Sequence, residues 1–202
     1  MFIKSKFVSS ILGNLSVFLG IGFILPLSNF SVYITSYINL KDTYVTMHYG
    51  LFINLVYYFA NTFYSSLGGY LENLFGFYFT IIVGMAIVLL ANLAFIFQQN
   101  FWLCYTLSLI LGIGTGISTS LLGKNLTLYY PDKKGIICGV LGFGTMIISA
   151  IFALTGEKII NFDGKTLDEN EDFYPPEIAE RTYLYFLVGE FVIHRFNFDL
   201  TS

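Results

Sequence analysis

The sequence predicts an all-α membrane protein of six spans, the sixth incomplete, and two observations carry that expectation. The first is scarcity of charge: 55% of the 202 residues are hydrophobic and 11% are charged, where an ordinary soluble domain has about 25% charged. The second is spacing. Charge-free stretches cover 34 residues at 7–40, 29 at 43–71, 51 at 73–123 and 22 at 135–156. A hydrocarbon core about 30 Å thick takes roughly 20 apolar residues as helix, so each stretch is long enough to cross. Lipid confines the backbone to helices or closed barrels. Barrel strands alternate apolar and polar residues, whereas these runs are continuously apolar, which selects helices.

The first expected span, 8–37, follows Lys4 and Lys6. It is longer than the roughly 7–15 apolar residues of a secretory signal and shows no small-residue cleavage site, so it is expected to stay as an anchor. Pro26 is a natural kink. Asn29, Tyr33 and Ser36 share one face below it. In the second span, 45–67, Asn54, Tyr58, Asn61 and Ser65 recur at helical steps. Polar stripes inside spans can line a substrate path or bond neighbouring helices. Asn29, Tyr33, Asn54, Tyr58 and Asn61 are therefore the candidates for such a path.

The 51-residue gap must fold back once, and Gln98, Gln99 and Asn100 are its only polar cluster. That divides it into spans at 77–97 and 101–129 joined by a hairpin. The fifth span is placed at 135–160, and an acidic loop follows at 161–181. Residues 163–181 hold seven acids and two bases, net −5 against −3 for the whole chain. The remainder is only weakly basic and offers no patch for nucleic acid. The sixth span is expected only as a partial helix, 182–193. Just 13 residues separate Arg181 from Arg195, with Glu190 among them, which as helix reach about 20 Å.

Basic residues near span ends set orientation. Lys4, Lys6, Lys124, Lys133, Lys134 and Arg195 fall on one side, and Lys41, Lys158, Lys165 and Arg181 on the other. The expectation is a multi-pass protein with a cytoplasmic amino terminus and the acidic loop outside. Cys104 and Cys138 lie within spans and read as reduced packing residues. His48 and His194 have no metal-ligand spacing around them, and neither G-x-S-x-G nor G-x-G-x-x-G occurs. No enzyme activity, cofactor or metal is expected.

Glycines concentrate from the fourth span into the fifth: Gly112-Ile-Gly114-Thr-Gly116, then Tyr130-Pro131-Asp132-Lys133-Lys134-Gly135, then Gly139 and Gly142-Phe-Gly144. Such spacing lets helix backbones approach closely in lipid. Gly112, Gly116, Gly139 and Gly142 are expected to bring the fourth and fifth helices together, while Gly84 lacks a glycine partner at that spacing. The whole string resembles the oxalate/formate antiporter and monocarboxylate transporter branch of the major facilitator superfamily, where a glycine-rich fourth helix ends at an aromatic-Pro-Asp-base-base-Gly turn. Gly68-Gly69-Tyr70-Leu71-Glu72-Asn73-Leu74-Phe75-Gly76 is similar to the superfamily's cytoplasmic signature loop. Gly69, Leu71 and Gly76 match it. Asn73 stands where the signature has its acid, and Glu72 is the candidate to replace it. Residues 28–37 are similar to the end of the first helix in that branch.

The resemblance implies the six-helix amino-terminal half of a major facilitator fold. In full-length form such a protein moves a small solute, a monocarboxylate or dicarboxylate anion, by alternating access. It also makes Gly69, Glu72, Asn73, Gly76, Pro131, Asp132, Lys133, Lys134 and Gly135 the cytoplasmic signature loops. The expected partners are the lipid bilayer, a small anion and a second half-transporter or a second copy. The rival readings are a non-transporting fragment and a membrane adaptor that binds other helices through its glycine faces.

Overall fold

The computed structural model of the chain describes residues 21–24, 27–41, 46–129, 131–165 and 173–198, and among them every regular element is helical. Residues 21–24 are helical and lead to α1 (Leu27–Asn39). Then come α2 (His48–Phe75), α3 (Phe77–Phe95), α4 (Phe101–Tyr129), a 3₁₀ turn at Pro131–Lys133, α5 (Lys134–Ile160), the single turn α6 (Pro176–Ala179) and α7 (Thr182–Phe198). The first part of the expected 8–37 span lies outside the described residues.

Among the described residues, three helical segments are long and apolar enough to cross a membrane: Phe77–Phe95, Phe101–Lys124 and Gly142–Ile160. Six were expected. α2 has the length, with 28 residues, but Asn54, Asn61, Glu72 and Asn73 dilute its apolar character. The described part of α1 has 13 residues. α7 has 17 and runs past Arg195, beyond the expected end at 193. Glutamate and arginine end an apolar run without ending a helix, because both are good helix formers.

α2 and α4 run parallel along their length. Tyr105 donates its hydroxyl to the Tyr49 carbonyl at 3.3 Å, Asn61 donates to Thr115 at 2.8 Å, and Lys124 meets Glu72 at 2.7 Å. Backbones pass this closely because glycines remove the obstruction. A Cβ at Gly112 would stand 2.5 Å from the Tyr57 carbonyl oxygen, and one at Gly116 would stand 2.5 Å from that of Asn61. The expected partner of these glycines was the fifth helix, and the structure corrects this. Gly112 and Gly116 seat α2, while Gly139 and Gly142 have no described atom within 4 Å of a built Cβ. Spacing along one helix specifies a smooth face but not the neighbour that uses it.

Gly84 also departs from expectation. A Cβ there would meet the Ser118 hydroxyl at 2.6 Å and the Gly114 carbonyl at 3.3 Å. It pairs with α4 across an antiparallel crossing, invisible to a rule that counts glycines within one helix.

The signature stretch is different too. Gly69, Glu72 and Asn73 belong to α2, which continues to Phe75, and only Gly76, at φ +85°, makes the turn into α3. Nothing from Leu71 to Phe75 breaks a helix. Gly68 is held by packing instead, since a Cβ there would overlap the Ser120 hydroxyl and lie 3.0 Å from the Ile117 carbonyl.

A second layer wraps the α2–α4 pair. α7 crosses α3 antiparallel, with Phe95 and Phe186 stacked at 4.9 Å. Tyr185 is sandwiched between Phe23 at 4.4 Å and Phe30 at 3.8 Å, and its hydroxyl donates to the Phe23 carbonyl at 2.6 Å. Gly156 and Gly189 leave room for these rings. The interior combines aromatic and aliphatic side chains with buried polar ones such as Thr35, Asn92, Ser108 and Thr115, while Leu55, Phe59 and Phe63 form an exposed stripe on α2, and Phe143, Met146, Ile151 and Leu154 are exposed on α5. In water, apolar faces of this extent would drive association; against lipid tails they carry no penalty.

Candidate functional site

Polar groups cluster at three places in the bundle. The first is the α2–α4 interface, where Asn61 reaches Thr115, and Thr115 in turn donates to the Leu111 carbonyl at 2.9 Å. Within this interface Asn54 Oδ1, the Tyr57 hydroxyl and the Ser108 hydroxyl are buried without a hydrogen-bond partner. At the end where both helices finish, Lys124 and Glu72 form an ion pair at 2.7 Å, with side chains 41% and 16% exposed. Such half-exposed pairs contribute about 0–1 kcal/mol, so its main effect is to fix the register of two parallel helices. Asn73 beside it is exposed, as are Pro131 and Asp132 in the turn between α4 and α5 and Lys134 and Gly135 at the start of α5. Lys133 closes the 3₁₀ turn.

The second is between α3 and α7. Asn92, 1% exposed, donates its amide to the Phe186 carbonyl at 3.0 Å and to Glu190 Oε2 at 3.3 Å. Glu190 lies eight residues into α7, about 12 Å from its start. A carboxylate at that depth is costly unless protein groups receive it, and Asn92 does so. Asn92 was not among the expected site residues. The signal was a lone amide in the most apolar helix, matched by a lone acid in the last one, but neither recurs at helical spacing and so neither formed a stripe.

The third is a cleft between α1 and α5, about 350 Å³ in volume and lined by Asn29, Phe30, Val32, Tyr33, Ala153, Glu157 and Tyr174. Tyr33 and Tyr174 stack with centroids 4.5 Å apart, and the Tyr174 N–H donates to the Ser36 hydroxyl at 3.0 Å. A neighbouring space of about 470 Å³ shares Glu157 and Tyr174 and adds Lys158, Asn161 and Lys165. Asn161 closes the chain there through paired bonds with the Lys165 backbone at 2.7 and 3.1 Å. Two ion pairs brace the rim, Lys165 with Glu177 at 3.2 Å and Arg181 with Asp163 at 3.1 Å, and Arg181 also lies over the Phe162 ring.

The five expected path residues therefore divide among separate places. Asn29 and Tyr33 line the α1–α5 cleft. Asn61 is engaged with Thr115, and Asn54 donates weakly to the Gly50 carbonyl at 3.5 Å. Tyr58 is exposed, edge-on to Tyr57. Among the described residues no group of three or more His, Cys, Asp or Glu side chains is arranged to hold a metal ion. Cys104 is buried with its thiol toward Gln98, and Cys138 is exposed. Compared with family models, curated proteins and solved structures, the chain matches none.

Proposed function

We propose that this chain forms one helical bundle of a membrane carrier for a small solute, working by alternating access around a second bundle. The observation that supports it best is a set of polar contacts between helices whose outer faces are apolar. Asn61–Thr115 and Asn92–Glu190 sit between helices, while large apolar side chains cover the outside. Polar and ionisable groups inside a membrane bundle are costly and mark solute and proton paths. The motif resemblance points in the same direction and to the six-helix amino-terminal half of a major facilitator. In this reading Glu72 and Lys124 latch α2 to α4 so that they move as one body.

The substrate inherited from that resemblance is a monocarboxylate or dicarboxylate. Lys124 is already committed to Glu72, so the bases that neutralise a bound anion belong to the second bundle. Proteoliposomes containing the chain alone should show no uptake of labelled oxalate, formate or lactate above empty vesicles. Saturable uptake should appear when a second bundle is supplied, either as a cross-linked second copy or as a co-expressed six-helix chain. If paired bundles remain inactive and the chain instead co-purifies in fixed ratio with other membrane helices, it is an adaptor. The open glycine positions on α5 favour that alternative.

A further inference from the structure

We propose that the cleft between α1 and α5 binds a small organic ammonium ion. Glu157 is the one charged residue among the described lining, beside the half-buried Tyr174 ring and the Asn29 amide, while Phe30 and Tyr33 back the cleft with faces already stacked, Phe30 on Tyr185 and Tyr33 on Tyr174. The open face of an aromatic ring attracts cations through its quadrupole, and quaternary and protonated amines are the ligands that such faces recognise. A carboxylate beside the rings adds direct attraction and excludes anions.

The surrounding charges support this selectivity. Lys165 and Arg181 are each engaged by an acid, Glu177 and Asp163. Lys158 lines the neighbouring space and not this one. Glu157 has no ion-pair partner among the described residues. A hard metal ion is a poor match, because such ions require several oxygen ligands and the lining offers chiefly one carboxylate and one amide. The walls are also set in advance: the Tyr33–Tyr174 stack is anchored by Ser36, so little ordering is needed on binding. At about 350 Å³ the cleft is at the small end of ligand pockets, with room for an ammonium group carrying a short chain.

This inference goes beyond the carrier reading and does not depend on it, since binding is read on the purified chain without transport. The probe is tetramethylammonium chloride, followed by saturation-transfer NMR of its methyl protons on the detergent-solubilised protein, with sodium acetate as the anionic competitor. Saturable transfer that acetate does not displace is expected. E157Q and Y174L should each weaken binding at least tenfold, while Y174F, which keeps the ring, should stay within twofold of wild type. Helix content by circular dichroism confirms that each variant is folded. Absence of saturable transfer to the folded wild type, displacement by acetate, or undiminished binding in both E157Q and Y174L would overturn the proposal. Binding that holds while paired bundles remain inactive in uptake would count against the carrier reading alone.

Discussion

Asn92 and Glu190 show how a single buried amide determines what its neighbour can be. The amide hydrogens serve both the Phe186 carbonyl and the Glu190 carboxylate. Asn92→Leu removes both donors at once. A buried acceptor that loses its donor costs about 1–3 kcal/mol, so the variant should unfold at lower temperature in detergent. Glu190→Leu alone takes one acceptor from Asn92. Replacing both residues by leucine substitutes an apolar pair for a polar one, and such exchanges are often neutral. The double variant should therefore be more stable than Asn92→Leu in a thermal melt; an additive loss would mean that the two side chains do not depend on each other. The sequence marked Glu190 as an interruption and passed over Asn92, because periodicity finds stripes and this contact joins two single residues 98 positions apart.

Helices were legible as elements because long charge-free runs define them, and their neighbours were not. Gly112 and Gly116 read as a packing face, and they are one, but the backbone they admit belongs to α2 at Tyr57 and Asn61. The signature glycines illustrate the same limit. Gly68 and Gly69 look alike in sequence, yet Gly68 faces the Ile117 carbonyl and Gly69 has no described atom within 4 Å of a built Cβ. Opposite effects follow for alanine. Gly116→Ala forces a methyl group onto the Asn61 carbonyl and the Ser65 amide nitrogen, 2.5 and 2.9 Å away, and must separate two helices. Gly69→Ala adds a methyl group in open space and removes backbone freedom inside a helix, a gain of roughly 0.5–1 kcal/mol. Melting temperatures should fall for Gly116→Ala and rise or hold for Gly69→Ala; the same sign at both positions would remove the packing role from Gly116.

At the scale of the molecule, antiparallel crossings put two chemically distinct ends on opposite faces. α2 and α4 are parallel and finish together at Glu72 and Lys124, while α7 starts at Thr182 beside the acidic rim of Asp163, Glu177 and Glu180. With 29 residues, α4 is about 44 Å long, more than a core of about 30 Å, so as a membrane span it would extend beyond the hydrocarbon. Basic residues favour the cytoplasmic side, and Lys124 and Lys134 lie at the Glu72 end. In intact cells, a cysteine at exposed Glu180 should react with an impermeant maleimide, and one at exposed Asn73 should react only after permeabilisation. Cys138 is exposed and belongs to the first turns of α5, at the same end as Asn73, so Cys138→Ser provides the background; buried Cys104 can remain. Reversed labelling would invert the orientation, and labelling of both sites from one side would break the antiparallel arrangement itself. Reversed labelling would also turn the α1–α5 cleft, which lies at the Glu177 and Glu180 end, away from the extracellular medium, and with it any ligand arriving from there.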